Sequence, residues 1–107
     1  MSISRGTIVS VIFPFTDFSG EKRRPALVVG GSTEHAVVLF ITSKQTGAVE
    51  WRVTLPKTKA TGLKVPSAVR IDKIASIDIS VLAGTLGSVP ESTLTTIDKR
   101  LKKLLGL

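Results

Sequence analysis

The spacing of apolar residues changes once along this chain, close to Val89, and that change limits the possible folds more than any other feature. Before it, apolar residues come in short runs separated by glycine, proline and polar clusters. After it, Leu94, Ile97, Leu101, Leu104 and Leu105 recur at helical spacing. The first part reads as strands over residues 7–13, 26–30, 36–42, 50–55 and 82–89, with residues 67–71 and 74–77 forming one or two more. Residues 36–42 (AVVLFIT) are apolar without interruption, as expected of a strand buried on both faces. In residues 50–55 (EWRVTL), alternation turns Trp51, Val53 and Leu55 inward and Arg52 outward. The second part predicts one amphipathic helix over residues 89–105, with Ser88 and Glu91 at capping-box spacing around Pro90. Many short strands closed by one helix predict a mainly β (α+β) domain, a small bent-sheet barrel covered by that helix. At 107 residues the chain is expected to form one domain, residues 1–107.

Composition narrows the chemistry. There is no cysteine, so disulfides and thiolate metal sites are excluded, and the single histidine, His35, lies in a polar turn with no second imidazole beside it. No cofactor is called for. Lysine and arginine number 15 against 8 acids, a net charge of +7, which points to a polyanionic partner, nucleic acid first and acidic protein second. Four of the cations (Lys99, Arg100, Lys102 and Lys103) end the predicted helix, where they complement its dipole; the other eleven lie between Arg5 and Lys73 and need another explanation. The longest apolar run is too short to span a membrane, so a cytoplasmic protein with no membrane partner is expected.

The stretch FPFTDFSGEKRRPALVVG, residues 13–30, sets three of those cations side by side. It reads as strand, long loop, strand, with Lys22, Arg23 and Arg24 at the mouth of the second strand and Pro25 directly after. Proline restricts the preceding residue to extended conformations, so Arg24 presents its guanidinium from a stiff segment. Thr42 and Ser43 end the third strand. If the second and third strands pair as a hairpin, Arg24 and Thr42-Ser43 fall at the same end of the sheet. Arg70 and Asp72, two apart on a strand, share a face. Residues 56–66 carry Lys57, Lys59 and Lys64 and read as a mobile basic loop.

These pieces, in this order, resemble the MazF/PemK toxins of toxin–antitoxin pairs: residues 6–11, the FPFTDFSGEKRRPALVV block, Phe40 to Ser43, AVRIDKIASID and a closing VPESTL helix. The resemblance covers nearly the whole chain, and the Arg-Pro pair after a glycine-containing loop is its most specific mark. It implies a small barrel related to SH3, a homodimer, and an endoribonuclease that cuts short single-stranded sequences without metal, using the ribose 2′-OH as nucleophile and leaving a 2′,3′-cyclic phosphate. By motif, Arg24 and Thr42 match the family's catalytic arginine and threonine, Ser43 a phosphate-contacting position, and Arg70 and Asp72 an Arg-x-Asp pair implicated in some members. Arginine does not lose its proton, so Arg24 and Arg70 are assigned to holding charge on the phosphorus-centred transition state. Asp72 is the one carboxylate in these motifs able to accept a proton, and pairing with Arg70 would make it a weaker base. Substrate contacts are expected from Arg23, from Phe15, Thr16 and Phe18 in the first loop, and from Lys57 and Lys59. The first loop has Phe18, Ser19 and Gly20 where some members carry His or Glu-Gln. An acidic antitoxin with a disordered segment suits the cationic surface. Two other readings stand beside this one: a gyrase-inhibiting interaction toxin resembling CcdB, and a barrel that binds RNA without cutting it.

Overall fold

Residues 67–71 and 74–77, expected as one or two strands, belong to a single strand of twelve residues, Ser67–Asp78 (β5), and its bend shapes the molecule. The computed structural model describes residues 3–13, 22–44 and 47–107. The other strands are Thr7–Phe13 (β1), Lys22–Gly31 (β2), His35–Thr42 (β3), Arg52–Leu55 (β4) and Leu82–Ser88 (β6), followed by the helix Glu91–Leu105 (α1). All pair antiparallel in one sheet of order β4-β5-β3-β2-β1-β6. The expected barrel is therefore a bent sheet whose edge strands, β4 and β6, do not pair. The bend comes from register irregularities. On β5, Val69 lies opposite Ile41 and Ile74 opposite Leu39, so on the β3 side residues 70–73 have only Phe40 across from them. The polar Asp72-Lys73 pair thus sits in an irregularity that turns the strand without ending it.

The central strands are buried on both faces, which is why they read as continuous apolar runs. Ile8, Leu27 and Leu39 lie in one cluster with Leu94 and Ile97 of α1. Their strand neighbours Val9, Val28 and Val38 lie in a second, into which Ile77 and Val81 fold from beyond the bend of β5.

Four local expectations are corrected. First, β2 begins at Lys22 rather than Ala26, because Lys22, Arg23, Arg24 and Pro25 continue the ladder with β1. On its other side the β2–β3 ladder stops at Ala26 opposite Phe40, beside Pro25, which has no N–H to extend it. Second, residues 49–51 form a 3-10 turn, and β4 starts after it with Arg52 half-buried rather than outward. Third, no capping box forms. Pro90 occupies the cap of α1 without a side-chain bond, and the Ser88 N–H donates to the Ala60 carbonyl at 2.9 Å. The helix is anchored instead by Val89 and Leu94, buried together at hydrophobic-staple positions.

Fourth, residues 56–66 are held rather than loose. The Thr61 hydroxyl, 3% exposed, donates to the Pro56 carbonyl at 2.9 Å, and its oxygen accepts from the Thr58 N–H at 3.2 Å. Leu63 enters the main core, and Gly62 packs against the Leu86 carbonyl of β6. The segment thus bridges the two open edges of the sheet. Among the described residues, no helix is long and apolar enough to cross a membrane.

Candidate active-site cleft

Where the β2–β3 ladder stops, the sheet opens into a cleft of about 620 Å³. Extending the register of Ala26 opposite Phe40 by two residues sets Arg24 abreast of Thr42. Both line the cleft, with Arg23 and Ser43 beside them. Arg70 enters from the bend of β5, and Lys64 and Val65 come from the bridging segment. Four of the residues singled out in the sequence, Arg23, Arg24, Thr42 and Ser43, therefore converge with Arg70 in one place.

The charge of this cleft is one-sided. Arg23, Arg24, Lys44, Lys64, Arg70 and Lys73 line it, and among the described residues no carboxylate does. Low-dielectric walls focus such a field, and the arrangement suits a chain of phosphates. Thr42 is preset as a donor: its Oγ1 accepts the Lys44 N–H at 3.1 Å, which leaves the hydroxyl proton to be given to a phosphate oxygen. Arg70 is held in two-point contact with Asp72, Nε to Oδ1 and Nη2 to Oδ2, each at 3.0 Å. Two of its five N–H donors are thereby used, and the rest remain for a ligand.

A family model described as the PemK-like, MazF-like toxin of type II toxin–antitoxin systems matches residues 4–105. The chain belongs to this family. A curated relative, the probable endoribonuclease MazF of Mycolicibacterium smegmatis (strain ATCC 700084 / mc(2)155), is 30% identical over 90 residues, covering 80% of this chain and 83% of the relative. The crystal structure of MazF from Deinococcus radiodurans superposes with a TM-score of 0.78 at 29% identity, over 100% of this chain and 99% of that one. A MazE–MazF structure from the same organism gives 0.81 at 28% identity, over 98% and 96% of the two chains.

Within this toxin fold, the remaining candidates lie apart from the cleft lining or outside the described residues. Asp72 stands behind Arg70 and does not line the cleft. Lys57 and Lys59 are exposed, and neither is among the lining residues. Phe15, Thr16 and Phe18 lie outside the described residues. Ser10, Lys44 and Lys73 line the cleft and were not singled out from sequence. Lys44 directly follows Thr42-Ser43 and Lys73 directly follows Asp72, so adjacency to the motifs was the available signal. Among the described residues, no group of three or more His, Asp or Glu is placed to hold a metal ion.

The Arg70 hydrogen bonds, and its charge after them, hold the Asp72 carboxyl below its ordinary range, while the Arg70 guanidinium is raised. A depressed carboxylate stabilises the fold above its unfolded pKa, and that contribution is lost as pH falls through the lower, folded value. Across the neutral range Asp72 is therefore ionised and paired, with little affinity for a ribose proton. Asp72→Asn is expected to slow RNA cleavage about tenfold by loosening Arg70, leaving the shape of the pH–rate profile near neutrality unchanged. Loss of a titrating limb in that profile would identify Asp72 as the base.

Proposed function

We propose that this chain is the toxin of a toxin–antitoxin pair and acts as an endoribonuclease, cutting single-stranded RNA at selected sequences in the Arg24–Thr42–Arg70 cleft. The observation that carries this reading is six cations, with the Thr42 and Ser43 hydroxyls among them, around a cleft that has no carboxylate among its described lining residues. Such a lining holds phosphodiesters and stabilises added negative charge, yet offers no strong nucleophile of its own. The nucleophile is accordingly the substrate's 2′-OH. The bond from O2′ to phosphorus forms and that from phosphorus to O5′ breaks, giving a 2′,3′-cyclic phosphate and a 5′-OH. The 2′-OH proton leaves to solvent or a basic group, and the departing O5′ gains one. Arg24 and Arg70 take up the charge that builds on the non-bridging oxygens, and Thr42 and Ser43 donate to the same phosphate.

Arg23 and Lys64 hold flanking phosphates. Phe15, Thr16 and Phe18 are assigned to the bases, as aromatic side chains stack on splayed RNA. Lys57 and Lys59 contact RNA that runs beyond the cleft. The partner that silences the toxin is an acidic, disordered antitoxin segment folding onto these cations. The working form is a homodimer of single-domain chains in the cytoplasm.

Mixed-sequence single-stranded RNA incubated with the purified protein in chelator tests this directly. Cuts at one short motif, ending in cyclic phosphate, are expected. Intact RNA, with inhibition of gyrase supercoiling instead, would replace this reading with the interaction toxin; binding without cuts would leave a barrel that only binds RNA. Binding to RNA made uncleavable by 2′-deoxy substitution should weaken steeply with salt. Lys64→Ala is expected to reduce the slope of log K against log salt by about 0.7, the share of one phosphate contact on a single strand; an unchanged slope would remove Lys64 from the RNA path.

A further inference from the structure

Arg100, in the C-terminal half of α1, is outside the cleft lining, yet its side chain reaches residues that lead into it. One nitrogen, Nη1, donates to three backbone carbonyls of the neighbouring turn: Val49 at 3.3 Å, Glu50 at 3.5 Å, and Arg52. The same turn is tied to α1 a second time. Lys103 Nζ lies 3.2 Å from Glu50 Oε2 and 6.0 Å from the centre of the Trp51 ring, and Trp51 packs on the main core. A single extended residue, Ala48, joins this turn to Gly47, and its carbonyl accepts the Trp51 N–H at 3.0 Å.

Gly47 lies against the functional guanidinium. Its φ is +89°, and a Cβ built there would stand 3.0 Å from both Cζ and Nη2 of Arg70. The Arg70 fork is thus confined between the Asp72 carboxylate, which takes Nε and Nη2, and the Gly47 backbone. Asp72 sets the direction of the fork, and Gly47 limits its displacement. Gly47 is one residue away from the turn, and Arg100 gives that turn its three side-chain bonds to backbone carbonyls.

We infer that Arg100 is a positioning residue for the Arg70 guanidinium, acting from the terminal helix through residues 47–52. The inference deepens the proposed function and rests on it for its kinetic consequence, since a displacement of about 1 Å in a reacting constellation can change a rate by up to about a hundredfold. The geometric claim stands independently of cleavage.

The test reads both. In the intact protein, the Arg70 Nε–H, bonded to Asp72, is expected to give a resolved, exchange-protected arginine signal by nitrogen-15 NMR. Arg100→Ala should shift that signal and reduce its protection at least tenfold, and Arg100→Lys, with three donors on one nitrogen, should restore part of it. In single-turnover RNA cleavage, Arg100→Ala is expected to be at least tenfold slower with RNA affinity changed less than twofold. In an Arg70→Ala background, the same substitution should change the rate by less than twofold, because its effect passes through Arg70. An unaltered Arg70 signal in Arg100→Ala would overturn the inference whether or not the protein cuts RNA. Equal rate losses with and without Arg70 would reduce Arg100 to a general stabiliser and also overturn it. An absence of cleavage by wild type, with the Arg70 signal shifted as described, would contradict the proposed function and leave the positioning intact. If Arg100→Ala does not fold, Arg100→Lys and Gly47→Ala carry the same readouts, and an unmoved Arg70 signal in both is the contrary result.

Discussion

Arg24→Ala should reduce RNA cleavage by about 10²–10³-fold, the loss typical of one preorganised donor to a developing oxyanion. The fold should be unaffected. Arg24 is exposed, and its strand is held by the backbone ladder to β1, where it lies opposite Val11. Exposed substitutions of this kind change stability by about 0.5 kcal/mol or less. RNA affinity should fall far less than the rate, because five other cations remain around the cleft. Arg24→Lys should recover binding but little of the rate, since an ammonium lacks the planar fork that engages two phosphate oxygens together. Single-turnover rates and equilibrium binding on one RNA separate these effects. A parallel loss of rate and affinity would make Arg24 an ordinary binding cation.

Gly62→Ala should damage stability and binding together. Gly62 has φ +68°, and a Cβ there would stand 1.9 Å from the Leu86 carbonyl oxygen. A left-handed conformation at a non-glycine residue costs about 1–3 kcal/mol, and forcing the backbones apart adds about 1–3 kcal/mol. The change therefore approaches the whole stability of a small domain. Whatever folded protein remains should bind RNA at least several-fold more weakly, because Leu63, Lys64 and Val65 of the cleft follow directly in the chain. Gly30→Ala is the control, since nothing lies within 4 Å of a Cβ at that site. Thermal unfolding of the two variants, followed by RNA binding at a temperature where both are folded, checks the difference. Equal behaviour would show that β6 and the bridging segment separate without consequence.

The parts legible in the sequence were those governed by two-sided burial. Strands such as β3 carry apolar residues on both faces, and α1 changes the period unmistakably. The convergence of Arg24 with Thr42 was legible for the same reason, because pairing β2 with β3 sets their ends together. What escaped was written in other terms. Lys22 to Arg24 look like loop because the ladder to β3 stops before them and the charges of Arg23 and Arg24 line the opening, although β1 still pairs with all three. β5 looked divisible because a register irregularity tolerates the polar Asp72-Lys73 pair without ending the strand. The bridging segment looked loose because a Thr58–Thr61 bonding network and a glycine against a backbone carbonyl leave no periodic trace. Arg100 resembled one more helix-end cation, and only the tertiary fold brings its side chain to residues 49–52. Motif resemblance supplied the chemical roles that spacing alone left open.

The proposed reaction places the scissile phosphate between Arg24, Thr42 and Arg70. Once the cleavage motif has been mapped, its most direct test is a crystal structure with RNA of that sequence, blocked by a single 2′-deoxy nucleotide at the cut. That phosphate is expected within hydrogen-bonding distance of the Arg24 guanidinium and the Thr42 hydroxyl, with Arg70 still paired to Asp72. RNA seated on another face, or a scissile phosphate bound away from Arg24 and Thr42, would contradict it.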